Sequence, residues 1–196
     1  MSTLNRREVV RALLHQRGEL LVVAGLGSAA YDVAACGNES FDFPLWGAMG
    51  GAAMVGLGLA LAQPTHPVLV LTGDGEMLMG LGSLATIAAQ QPPNLRIVVL
   101  DNERYGETGQ QSTHTALGTD LAEVARACGI AHSVTVRVPG ELAGLRDRLH
   151  LPDGPLFAVV KVAPEELPRI LPPRDGAYLT HRMREALLGG GRALEG

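Results

Sequence analysis

Aromatic side chains are scarce in this chain of 196 residues, at 4%, with a single tryptophan. So few large rings exclude a core of thick aromatic layers, and 25 glycines point instead to closely apposed backbones. Cysteine is scarcer still. Cys36 and Cys128 have no metal-ligand spacing and no close neighbour. This argues against a disulfide framework or thiolate metal site and for two reduced, buried or half-buried thiols in a cytoplasmic protein. Basic runs are absent, and a formal charge of −4 makes nucleic acid and anionic membrane poor partners. The longest apolar run, positions 48–62, is 15 residues and glycine-rich, too short to span a bilayer. Because it is small and apolar on every side, deep packing in an α/β core is expected. The N-terminal MSTLNRREVVRALLHQ mixes its charges and lacks the apolar stretch of a signal peptide.

What is present alternates between strand and helix patterns. Apolar runs at 20–24, 68–71, 95–100 and 156–162 read as strands buried on both faces, with 132–138 alternating in character. Helices are predicted at 5–17, 48–62, 77–91, 121–128 and 141–149, with Asp120 as an N-cap and Glu123 in capping-box position. Residues 41–45 form a short extended lead. The alternation predicts a three-layer α/β/α doubly wound parallel sheet over residues 1–163, with ligands at the strands' carboxyl ends. Residues 164–196 read as a proline-rich linker, a terminal helix at 178–188 with His181, Arg182 and Arg184 solvated, and a frayed end.

The stretch VLVLTGDG, residues 68–75, carries the chemistry. A buried strand runs into a Gly-Asp-Gly turn and then a helix, so bare backbone and unpaired N–H groups meet a carboxylate, Asp74, that can hold a divalent cation. After 26 further residues (76–101) comes Asn102, at the end of the next strand. One carboxylate and one amide oxygen at adjacent strand tips leave most of a magnesium shell to diphosphate oxygens, water and a backbone carbonyl. A second turn, Gly25-Leu26-Gly27-Ser28-Ala29-Ala30, has the G-x-G-x-x-A form of a dinucleotide site. That reading needs a second strand ending in an acidic residue about 20 positions on. Residues 34–40 are helix and turn material instead.

Gly-Asp-Gly with its distant asparagine resembles the cofactor motif of thiamine diphosphate enzymes, and the resemblance covers roughly residues 21–162. It implies thiamine diphosphate and Mg²⁺ as cofactors, with the metal on Asp74, Asn102 and the Arg104 carbonyl. It implies further that Gly25, Gly27, Ser28, Gly73, Gly75, Glu76, Tyr105 and Gly106 surround the cofactor, Glu76 through its backbone N–H with its side chain solvated or paired. A second carboxylate ligand is the alternative for Glu76. The segment Trp46-Gly47-Ala48-Met49-Gly50 is similar to the family's aminopyrimidine grip, in which the Gly47 carbonyl accepts a hydrogen bond and Met49 props the bent cofactor.

The polar, aperiodic stretch 103–116 is expected to cover the cofactor. On it, Glu107 and His114 are candidate catalytic or substrate-contacting residues, and the Arg104 guanidinium is free for a substrate or partner. Met77 and Met79 read as packing residues, and the remaining histidines suggest no site. LDNERYGETGQQSTHT and LMGLGSLATI resemble segments of the sulfopyruvate and phosphonopyruvate decarboxylases. Those enzymes carry Ser-Arg-Glu after the first turn where this chain has Ser28-Ala29-Ala30, so the resemblance implies a 2-oxoacid decarboxylase ahead of any named substrate. It also implies that the activating glutamate lies on a pyrimidine-binding α subunit, in an even-numbered hetero-oligomer. Other reactions on the same cofactor (carboligation, oxidative decarboxylation) and a non-catalytic nucleotide-binding or scaffold module remain open alternatives.

Overall fold

Runs of Val, Leu and Ile with no polar face cannot lie at a surface, and here they assemble side by side. The computed structural model describes residues 4–194. In chain order its elements are α1 (Arg6–Leu13), β1 (Leu21–Ala24), α2 (Ser28–Ala34), β2 (Asp42–Pro44), α3 (Ala52–Ala62), β3 (Val68–Gly73), α4 (Asp74–Met79), α5 (Ser83–Gln90), β4 (Leu95–Asp101), β5 (Arg104–Tyr105), β6 (Gln111–Ser112), α6 (Leu121–Cys128), β7 (His132–Val136), α7 (Leu142–Arg148), β8 (Leu156–Lys161) and α8 (Gly176–Leu188). Six strands form one sheet in the order β2-β1-β3-β4-β8-β7, every pair parallel.

Alternation along the strands divides the core into two layers. Leu69, Leu71, Val98, Leu100 and Val160 face α1, α2 and α7. Val68, Val70, Ile97, Val99 and Phe157 face α3 to α6. The predicted doubly wound α/β/α sandwich is therefore the fold. Asp120 caps α6 as expected, accepting from the Ala122 and Glu123 amides at 2.9 and 3.1 Å. The Glu123 side chain pairs with Arg126 rather than closing a capping box.

Several elements differ from the sequence expectation. The helix predicted over 77–91 is two helices, broken at Gly80–Gly82. A Cβ at Gly80 would lie 2.1 Å from the Gly50 carbonyl oxygen, so only glycine fits where α4 ends against the approach to α3. Positions 41–45 contain an edge strand of the sheet, β2. The small-residue helix α3 is not buried all round. Gly56 presses it onto β3, where an added Cβ would sit 2.1 Å from Val70 Cγ2, whereas Met54, Val55 and Leu61 on its other side are exposed.

Residues 164–175 carry no regular structure but run as a strap pinned along its length. The Asn5 side-chain amide donates to Glu165, Gln110 Nε2 to Glu166 and Trp46 Nε1 to the Pro173 carbonyl. Helix α8 then packs beside β2, burying Leu179 and Met183. Arg182, expected in solvent, is half-buried and donates to Asn38 and to the Asp42 carbonyl.

Candidate functional site

The chain leaves β1 toward β2 on one side and leaves β3 toward β4 on the other, so a crevice opens where these directions diverge, at the strands' carboxyl ends. A cleft open to solvent occupies it, the position where ligands bind in sheets of this kind. Gly73, Asp74, Gly75 and Glu76 from the turn after β3 border it, as do Asn102, Arg104, Tyr105, Gly106 and Glu107 after β4. Ser28 and Met49 reach it from the first turn and the approach to α3. Strand pairing brings the two tips together, Gly73 opposite Leu100.

Asp74 is buried and held by the loop that follows β6. Its Oδ2 accepts from Thr113 Oγ1 at 2.5 Å and from Thr115 Oγ1 at 3.3 Å. The Thr115 hydroxyl also lies 2.8 Å from Asp101 Oδ1. Asp101 in turn is paired with Lys161 at 2.7 Å, and the same ammonium meets Glu103 at 2.8 Å. Burial raises the Asp74 pKa to about 6; the threonine hydroxyls oppose that rise and the neighbouring Asp101 charge adds to it. Burial also works against the charged form of Lys161, but its two carboxylates outweigh that and hold its pKa above the usual lysine value. Asn102 folds its carboxamide oxygen back to accept from the Arg104 amide at 3.0 Å.

Glycine is dictated at two positions by contacts and at a third by backbone conformation. A Cβ on Gly25 would lie 1.8 Å from Glu76 Oε2, and one on Gly75 would lie 2.7 Å from the Tyr105 ring. Gly27 has φ +76°, a conformation that disfavours side chains. Gly25 and Gly27 are buried behind the cavity rather than bordering it. The Glu76 side chain is not solvated. It is 4% exposed and accepts from Thr72 Oγ1 at 2.8 Å, while its buried Oε1 makes no hydrogen bond. Burial raises its pKa against the Thr72 bond and the nearby Ala52, Gly50 and Leu26 amides.

Gly47 and His114 are exposed and lie outside the cavity wall. Thr113 and Thr115 turn inward, and His114 between them takes the opposite side. Glu107 borders the cavity with Arg169 3.3 Å away. The Arg104 guanidinium is not free, since it donates to Ser112 across the β5–β6 hairpin. The sequence reading passed over Thr72, Thr113, Thr115, Asp101 and Lys161. The one available signal is Thr-x-Thr near the end of the expected covering loop, which puts two hydroxyls on one side of an extended chain.

Residues 25–162 match the family model for the C-terminal TPP binding domain of thiamine pyrophosphate enzymes. The chain belongs to that family. It is 39% identical over 161 residues to the sulfopyruvate decarboxylase subunit beta of Methanothermobacter thermautotrophicus, covering 82% of this chain and 83% of that protein. Its identity to the corresponding subunit of Methanocaldococcus jannaschii is 38% over 126 residues, 64% of this chain and 66% of that one. Benzoylformate decarboxylase from Polynucleobacter necessarius superposes with a TM-score of 0.68 at 21% identity, over 85% of this chain but only 34% of that enzyme. That likeness is one of fold. The cavity described above is thus the crevice of a thiamine pyrophosphate-binding domain. The dinucleotide reading of residues 25–30 is set aside: a parallel strand, β2, does follow that turn, but it ends in Pro44 rather than in an acidic residue, and the family match runs through the turn.

Proposed function

We propose that this chain is the cofactor-binding β subunit of a two-subunit, thiamine diphosphate-dependent 2-oxoacid decarboxylase. The carrying observation is that Asp74 and Asn102, at the ends of adjacent parallel strands, border one cavity in a chain that matches decarboxylase β subunits over most of its length.

The residues fit a magnesium diphosphate. Among the described residues no three His, Cys, Asp or Glu side chains converge to hold a metal by themselves. One carboxylate, one carboxamide and a backbone carbonyl form an oxygen donor set that suits Mg²⁺ when phosphate oxygens and water complete the shell. Gly73 leaves open space on its Cα, so a phosphate can approach the backbone there. In this reading Asp74, Asn102 and the Arg104 carbonyl hold the metal, and Ser28 with the amides of residues 75 and 76 meets the diphosphate. Met49 supports the bent cofactor.

Thiamine diphosphate, when bound, supplies the carbon nucleophile and the electron sink that decarboxylation of a 2-oxoacid requires. The chain's own part is to bind and orient. Thr113 and Thr115 fix the Asp74 carboxylate, and Lys161 balances Asp101 so that two adjacent carboxylates can coexist. The hairpin β5–β6 and the turn after it cover the site. We assign Glu107, on the cavity wall, to substrate contact, and His114, on the outer side of its loop, to the neighbouring subunit.

The carboxylic acid that activates the cofactor is assigned to an α subunit carrying the pyrimidine-binding domain. An apolar surface suits its docking: Met49 on the cavity wall, Met54 and Val55 on α3, and Met79 are 37–64% exposed, and Met79 abuts Gly50 at the approach to α3. The assembly is then an even-numbered hetero-oligomer. No described helix is long and apolar enough to cross a membrane, and with two unpaired cysteines we place the complex in the cytoplasm.

The test is reconstitution. This chain alone should release little carbon dioxide from 2-oxoacids and gain turnover when mixed with the α subunit. Robust decarboxylation by the isolated chain contradicts the proposal, and ligated or oxidised products from the complex would move it to another reaction of the same cofactor.

A further inference from the structure

The cavity that brings Asp74 and Asn102 together also meets a buried cation from the start of the chain. Arg6, the first residue of α1, is 6% exposed. It borders this cavity and a polar one beside it. Its Nε donates to Asp32 Oδ2, and the Arg7 Nε donates to Oδ1 of the same carboxylate at 2.9 Å. Asp32 is fully buried.

Two guanidinium groups therefore share one carboxylate, and the cluster keeps a surplus positive charge away from bulk water. A buried charge without a counterion is expensive unless something pairs with it. Arg7 spends a terminal nitrogen on the strap, donating from Nη2 to the Pro168 carbonyl at 2.6 Å. The terminal nitrogens of Arg6 donate to no acceptor among the described residues, and it is Arg6 that borders the cavities.

The carboxylates on the walls of the two cavities have partners other than Arg6; in the polar one Glu165 accepts from the Asn5 side-chain amide and Glu166 from Gln110 Nε2. Asp74 is bonded to Thr113 and Thr115, Glu76 to Thr72, and Glu107 lies against Arg169. A diphosphate keeps negative charge after a divalent ion has bound, and Asp74 adds more, so a cavity that takes both needs a further cation. The planar fork of a guanidinium matches the oxygens of a tetrahedral anion.

We propose that Arg6 is an anion-binding residue of this site and pairs with the terminal phosphate of the cofactor, an inference that rests on the cofactor reading above. The N-terminal helix is then part of the binding site, although it lies outside the matched residues 25–162.

Calorimetry on the full chain tests this with two probes, inorganic pyrophosphate and thiamine diphosphate, each with Mg²⁺. Charge-assisted hydrogen bonds of this kind contribute about 1.5–3 kcal/mol, so Arg6→Gln should weaken both probes about 10- to 100-fold, and Arg6→Lys should recover part of the loss. Arg7→Gln removes the other guanidinium from the same Asp32 without touching the cavity, and should change either affinity by no more than about twofold. Unchanged binding in Arg6→Gln, or an equal loss in Arg7→Gln, overturns the inference. So does an Arg6→Gln chain that binds both probes normally but shows a raised KM for the 2-oxoacid in the reconstituted complex, because the anion is then the substrate's. A wild-type chain that takes up neither probe overturns the cofactor reading first, and this inference with it.

Discussion

Replacing Asp74 with asparagine should make the metal-free protein more stable while removing its use for magnesium. The side chain is 1% exposed and stands across one threonine hydroxyl from Asp101. Burial moves its pKa from the ordinary 3.8 to about 6. At about 1.4 kcal/mol for each tenfold change in proton affinity, ionised Asp74 costs the metal-free fold about 2–3 kcal/mol. The sign follows from the direction of that change. Below pH 3.8 the carboxyl is protonated in both states and costs nothing. Between 3.8 and 6 the unfolded chain ionises first, so stability falls as pH rises. Above 6 the full cost is present. Denaturant unfolding of wild type and Asp74→Asn in EDTA, at steps from pH 4 to 8, should therefore give curves that nearly meet at the acid end. By neutral pH the variant should lead by about 2 kcal/mol. Groups common to both proteins, such as the buried Glu76, largely cancel in the difference. A variant that is no more stable at pH 7 than the wild type, or one whose advantage does not vary with pH, refutes the reasoning.

Gly25→Ala should destabilise the chain by about 1–3 kcal/mol, since its Cβ would fall 1.8 Å from Glu76 Oε2. Adding Glu76→Ala should restore most of that loss, as a double-mutant cycle in urea can measure. Thr115→Val removes the hydroxyl between Asp74 and Asp101 and should cost about 1–2 kcal/mol, with a several-fold drop in Mg²⁺ affinity by calorimetry. Met54→Asp and Met79→Asp change side chains that are 42% and 64% exposed. Each should shift the isolated chain's stability by no more than about 0.5 kcal/mol yet weaken its complex with the α subunit in sedimentation experiments.

Parallel strands buried on both faces write themselves as Val/Leu/Ile runs, and for that reason the sheet and its layers were legible before any coordinates. The tips of β3 and β4 were legible for a related reason: Gly-Asp-Gly and Asp101-Asn102 interrupt those runs abruptly, so the polar groups can only be at the ends. What could not be read is what depends on distant parts of the chain meeting. Position 80, where α4 ends, admits only glycine because Gly50, some 30 residues earlier, lies against it. Glu76 is buried because Gly25 leaves it room, and no local pattern distinguishes it from a solvated glutamate. The exposure of α3 was misjudged because an all-apolar helix looks the same whether a core or another subunit covers its second side. The strap at 164–175 has the composition of a linker; only its hydrogen bonds to Asn5, Arg7, Trp46 and Gln110 show otherwise.

Calorimetric titration of the full chain with thiamine diphosphate, in Mg²⁺ and again in EDTA, for wild type and Asp74→Ala, addresses the central claim most directly. The account predicts tight binding only for wild type with the metal, and the same weak residue of affinity in the other three cases. Equal affinity with and without Mg²⁺, or an Asp74→Ala chain that still binds in a metal-dependent way, would contradict it.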